Sequence, residues 1–149
     1  MTMKQEFQKI AKEYINKGRL IRSIPSISDK TWEFAIQKHK ADRAGEHLDF
    51  RLGDPKTGHG HSWVIKSLPK AGEKVKANQT FTHDIPYFDF KGKVKSGYGK
   101  GSVELMERGK ATITNSSPNK LSFKTDAGRY ALIKFKDKEK DWLLIRAKE

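Results

Sequence analysis

The sequence contains no cysteine, which excludes disulfides and thiolate metal sites and fits a reducing interior. No apolar run is long enough to span a bilayer, and Met1-Thr2-Met3-Lys4-Gln5-Glu6 does not open a signal peptide. No membrane partner is expected, and a cytoplasmic location is. Acidic residues are in short supply: 18 Asp and Glu stand against 31 Lys and Arg, a formal charge of +13 over 149 residues. That excess favours polyanionic partners, nucleic acid first among them, through phosphate contacts and counterion release. The chain is long enough for one domain with a real core, and it carries no internal repeat or low-complexity segment.

Two zones follow from the patterning. Residues 1–30 read as an amphipathic helix and a linker. Phe7, Ile10, Ala11, Tyr14 and Ile15 fall at helical spacing, Gly18 sits at the expected stop, and Arg19, Arg22 and Pro25 follow. Residues 31–149 read as a mainly β domain. Strands are expected at Thr31 to Gln37, Leu48 to Leu52, His61 to Ile65 and Gln79 to Thr82. Further strands are expected at Ser102 to Met106, Ala111 to Thr114, Lys120 to Lys124, Gly128 to Phe135 and Trp142 to Arg146. Pro69 to Asn78 reads as a polar loop, and the lysines from Lys134 to Lys140 as a charged hairpin tip. Many short strands between Gly, Pro, Asn and Lys turns predict a compact antiparallel β-barrel or sandwich. Trp32, Trp63 and Trp142 lie among aliphatic residues and are expected in its core.

The chemistry concentrates in His47-Leu48-Asp49-Phe50-Arg51-Leu52. On a strand, His47, Asp49 and Arg51 share one face, while Leu48, Phe50 and Leu52 share the other. Imidazole and carboxylate suit a divalent metal, and guanidinium suits a phosphate. His39 upstream and His83 downstream are placed to complete such a site. His47-x-Asp49 with a distant His also fits the facial triad of non-haem iron oxygenases. The charge and the nearby Arg51 favour phosphate chemistry instead.

Other motifs weigh less. Gly97-Tyr98-Gly99-Lys100-Gly101-Ser102 lacks P-loop spacing and reads as a turn between barrel strands, with Lys100 able to lie along a nucleic-acid strand. His59 and His61 form an H-x-H pair, but surface histidines of a hairpin turn are the commoner case.

Several blocks resemble, in the same order, the 3′-phosphoesterase domain of the bacterial end-joining enzyme DNA ligase D. The family pattern QKHxAxRLHxDFRLE followed by SWxxxK resembles Gln37-Lys38-His39-Lys40-Ala41-Asp42-Arg43, His47-Leu48-Asp49-Phe50-Arg51-Leu52 and Ser62-Trp63. DHPxxYxDFEG resembles His83-Asp84-Ile85-Pro86-Tyr87-Phe88-Asp89-Phe90-Lys91-Gly92, and NYGxGxV resembles Gly97 to Val103. The closing strands match Gly128 to Lys134 and Trp142 to Arg146, so the resemblance covers about residues 34 to 146.

The resemblance implies a compact β-barrel that uses manganese to process 3′ ends. It would remove a terminal ribonucleoside and then convert the remaining 3′-phosphate to a 3′-hydroxyl. It implies His39, His47 and Asp49 as metal ligands, and Arg51, His83 and Tyr87 as the residues on the scissile phosphate. Arg19, Arg43 and Lys100 are further candidates for nucleic-acid contact. The implied partners are DNA or RNA-tipped primer–template 3′ ends, with a separate DNA ligase or end-binding protein acting alongside this stand-alone version. The sequence departs from the family in four places, one of them the missing Pro-Glu-Gly before the Tyr-Gly stretch. His39 and His47 are eight apart rather than six, so Ala44-Gly45-Glu46 reads as a loop with a two-residue insertion. The acidic residue of DFEG is Lys91. The family's basic and acidic N-terminal motif has only a faint echo in Tyr14, Lys17 and Arg19. Ribonucleoside trimming is accordingly expected to be weak or absent. The alternative is a catalytically inactive barrel that binds DNA ends.

Overall fold

The computed structural model describes residues 31–43, 45–97, 100–135 and 140–148. The expected N-terminal helix and Arg19 lie outside the described residues. The described chain forms nine strands: β1 (Thr31–Ala41), β2 (Gly45–Asp54), β3 (His59–Ile65), β4 (Lys74–Thr80), β5 (Gly92–Val94), β6 (Gly101–Ser117), β7 (Lys120–Thr125), β8 (Gly128–Lys134) and β9 (Asp141–Arg146). One short 3-10 helix, Ile85–Asp89, lies between β4 and β5. All pairings are antiparallel, in the order β1-β2-β3-β4-β9-β8-β7-β6, and β1 also pairs with β6. Eight strands therefore close a barrel and leave no open edge among themselves. The ninth, β5, hangs on the free side of β6 near its start.

Period-2 alternation explains the interior. Trp32, Phe34 and Ile36 of β1, Phe50 and Leu52 of β2, and Trp63 and Ile65 of β3 all point inward and are buried. Trp63 meets Trp142 edge-on with ring centroids 5.6 Å apart, and Phe50 packs on Phe34, Phe123 and Tyr130. Each such side chain contributes about 1.5–3 kcal/mol on leaving water. The three tryptophans are core residues, as their neighbours suggested.

Several details differ from the sequence reading. The stretch from Pro69 to Asn78 is not all loop, because β4 begins at Lys74; its alternation is Val75, Ala77 and Gln79 inward, too polar to announce a strand. Ser102 to Met106 and Ala111 to Thr114 belong to a single 17-residue strand, β6. One extra residue, Met106, bulges from β6, since Ile36 pairs with Glu107 while Gln37 pairs with Leu105. His61 is not a surface turn residue: it lies inside the barrel, stacked on Trp32 at 5.9 Å and near Trp63 at 6.2 Å. Its strand parity matches Trp63, which carries it inward, while His59 stays near the surface against Asp84.

The segment after β4 crosses the outer wall of β1, β2 and β3. Gly53 and Gly60 make this possible. A Cβ on Gly53 would come within 2.7 Å of Ile85 Cγ1, and one on Gly60 would collide with the His83 carbonyl and the Phe88 ring. Phe88 is fully buried against this bare patch, and Ile85 N–H donates to Gly58 O at 3.0 Å. Arg108 of β6 ties the far end down, donating to Asp89 at 2.9 Å and pairing with Glu33 at 3.2 Å.

Candidate functional site

The site lies on the outer face of β1, β2 and β3, beside the crossing segment. His39 and His47 face each other across β1 and β2, and Gln37 faces Asp49. The wider spacing between the two histidines still leaves them directly opposite each other. Gly45 and Glu46 belong to β2, pairing with Ala41 and Lys40, so residues that read as part of an inserted loop extend the hairpin instead. His39 therefore reaches the site from a strand rather than from a loop.

Asp49 Oδ1 is 3.3 Å from His47 Nε2, and its Oδ2 is 3.6 Å from His39 Nδ1. One ligand atom from each of the three lies within 4.8 Å of the others. Two ligands held at about 2.1 Å from one ion stand about 3 to 3.5 Å apart at ordinary bond angles. The donor set and its spacing thus fit a divalent cation, with two borderline nitrogens and one anionic oxygen.

Arg51 lies behind this cluster, only 3 % exposed. Its Nη2 is 3.4 Å from Asp49 Oδ2, its Nε donates to Gln37 Oε1, and its Nη1 donates to Ser62 Oγ. Two of the five N–H groups of a guanidinium are thereby hydrogen-bonded, and the Asp49 contact is an ion pair. The ring of Tyr87 lies over its carbon at 5.1 Å. His83 stacks on Tyr87 with centroids 4.1 Å apart, and Tyr87 stacks on Phe90 at 5.1 Å. The crossing segment therefore delivers His83 and Tyr87 to the strand-borne cluster.

Gln37 was passed over by the sequence reading. It is fully buried, and its Nε2 donates to Tyr87 O at 2.8 Å and Phe90 O at 3.1 Å. It lies two residues before His39, on the same strand face, and that parity was the available signal. Ser62 carried no such signal, because only cross-strand register places it opposite Arg51.

Electrostatics divide the titratable groups. Burial works against the Asp49 anion, but the hydrogen bond from His47 and the charge of Arg51 outweigh it and hold the carboxyl below its ordinary value. The same hydrogen bond raises His47. Burial, reinforced by the Arg51 charge, pushes His83 down to about 4, so its imidazole is neutral near pH 7. Burial raises the Tyr87 phenol. Arg43 is exposed in the β1–β2 turn and Lys100 is exposed just before β6. The two segments meet where Asp42 N–H donates to Lys100 O at 2.8 Å. Neither is brought to the His39, His47 and Asp49 cluster by any contact described above.

A closed antiparallel barrel with a His₂Asp cluster on its outer wall and a buried arginine behind it has the parts of a metal-assisted phosphoester hydrolase. The family model for the DNA ligase D 3′-phosphoesterase domain matches residues 37–146, and the chain belongs to that family. No curated protein matches the chain. The phosphoesterase family carries with it a hydrolytic function at 3′ ends in end joining. Among the described residues, no helix is long and apolar enough to cross a membrane.

Proposed function

We propose that this protein is a manganese-dependent phosphoesterase that converts a 3′-phosphate on DNA to a 3′-hydroxyl, with removal of a 3′-terminal ribonucleoside as a weaker second activity. Its substrates are DNA or RNA-tipped primer–template ends. The observation that carries the reading is the juxtaposition of His39, His47 and Asp49 with the buried Arg51, in a chain of this family.

In this reading His39, His47 and Asp49 hold the ion, which supplies Lewis-acid polarisation of a phosphoryl oxygen and an acidified water. Arg51 pairs with the Asp49 carboxylate and directs its remaining N–H groups and its charge toward the phosphate. His83, neutral at pH 7, donates a ring N–H to a phosphate oxygen. Tyr87 offers its hydroxyl as a second donor, and its ring screens Arg51 from water. Arg43 and Lys100 contact the polynucleotide outside the reacting centre, and Arg19 is a further candidate for that role.

The test is incubation with manganese and a labelled primer–template ending in a 3′-phosphate or a single ribonucleotide. Conversion to a 3′-hydroxyl that is lost in EDTA and in His47→Ala supports the proposal. Tight binding to both ends without any product would overturn it in favour of a non-catalytic end-binding barrel.

A further inference from the structure

Near the hairpin end of β1 and β2, the strands β2, β1, β6 and β5 form a sheet whose two faces carry different chemistry. Register puts His47, His39, Val103 and Gly92 in one row, and Glu46, Lys40, Ser102 and Lys93 in the next. Successive residues of a strand point to opposite faces, so the second row faces away from the His39, His47 and Asp49 cluster. On that far face Lys40, Lys93, Lys95 and Lys100 line a cleft of about 520 Å³ together with Ser102 and one carboxylate, Asp42. None of the four lysines is in an ion pair among the described residues. Glu46, which lies near Lys40, is bridged to Lys38 at 2.8 Å.

The fold builds this concentration of charge. Gly101 has φ +152°, and a Cβ there would run into the Lys40 carbonyl and lie 2.9 Å from Ala41 Cα. The bare backbone lets β6 press against the end of β1, which brings Lys40 to the same cleft as Lys100. Lys40 to Lys93 spans two inter-strand gaps, about 10 Å, or roughly three steps of a stacked nucleic-acid strand at ~3.4 Å each.

We propose that this cleft is a second nucleic-acid site, which grips phosphodiester backbone on the face opposite the reacting centre. It anchors the protein on the body of a nucleic acid while a 3′ end is processed on the other face. The identity of the polyanion as nucleic acid rests on the phosphoesterase reading, whereas the binding rests on the cleft alone.

The test is fluorescence anisotropy of the full chain with a 20-base-pair duplex bearing 3′-hydroxyls, at salt from 50 to 200 mM. The double variant Lys93→Glu/Lys95→Glu changes the exposed β5 edge, and Lys120→Glu/Lys124→Glu on β7 makes the same charge change elsewhere. The cleft variant should bind about tenfold or more weakly, with a log–log salt slope shallower by about 2, and the β7 variant should stay close to the unmodified protein. Hydrolysis of a 3′-phosphorylated dinucleotide, too short to reach both faces, should be the same in all three. Equal losses in both variants, an unchanged cleft variant, or a cleft variant that also loses dinucleotide hydrolysis would overturn the proposal. If no form of the protein cleaves the dinucleotide, the phosphoesterase reading fails while the anisotropy comparison still decides the cleft.

Discussion

Gln37 accepts a hydrogen bond from Arg51 Nε through its side-chain oxygen, and its nitrogen holds the carbonyls of Tyr87 and Phe90. One buried amide thus sets the orientation of the guanidinium and the position of the segment bearing His83. Gln37→Ala should leave buried donors and acceptors unpaired, costing about 2–3 kcal/mol of stability. Gln37→Glu should keep the Arg51 contact but repel the two carbonyls. Both should lower phosphate release by at least about tenfold, and thermal melting beside steady-state kinetics will separate the two losses.

Asp49 links the candidate ligands to Arg51, and Asn would remove its charge while keeping its shape. Asp49→Asn should cut manganese affinity and turnover by roughly two orders of magnitude or more. Because the Asp49 hydrogen bond is what raises His47, the His47 ring should also titrate at lower pH in this variant, measured by NMR in EDTA.

His83 titrates near 4 in the folded chain but near its ordinary value, about 6.5, when unfolded. Below about 6.5 the unfolded state binds the extra proton and the folded state resists it. His83 therefore lowers stability as pH falls from about 6.5 towards 4, and has no such effect above that window. Asp49, whose pKa is depressed, adds stability above its unfolded value that is lost only at more acid pH. Urea unfolding in EDTA at several pH values should show a flatter profile between 6.5 and 4 for His83→Gln than for the unmodified protein. Parallel profiles would contradict the assignment.

Gly60 has no room for a methyl group beneath the His83 carbonyl and Phe88. Gly60→Ala should lift the crossing segment, costing about 1–3 kcal/mol. The strand-borne His39, His47 and Asp49 should keep their spacing. The expected result is a large fall in kcat with manganese affinity nearly unchanged, read by calorimetric titration beside kinetics.

Much of this was legible because a strand sorts residues by parity. Leu48, Phe50 and Leu52 named the core, and His47, Asp49 and Arg51 named the opposite wall. Parity within one strand does not identify the neighbour across it. Ser62 became visible only when register set it beside Arg51, and register likewise set Gln37, which shares a strand face with His39, beside Asp49. The expectation of two strands between Ser102 and Thr114 failed because the bulge and Gly109 interrupt the alternation of β6. His61 was misplaced because a polar ring between tryptophans does not read as a core residue. The family resemblance supplied Tyr87 and the phosphate role of His83, since no local pattern ties that segment to a strand thirty residues earlier.

The bulge at Met106 also decides what stands beside the two histidines. Had β6 run on unbroken from the Ile36–Glu107 pair, Glu104 would fall opposite His39, on the face of the metal-type cluster. The extra residue turns Glu104 to the other face and puts Val103 there instead. A second carboxylate would make the site more anionic and repel a phosphate ester. One inserted residue, 48 % exposed and touching none of the chemistry, therefore sets the charge of the wall that does it.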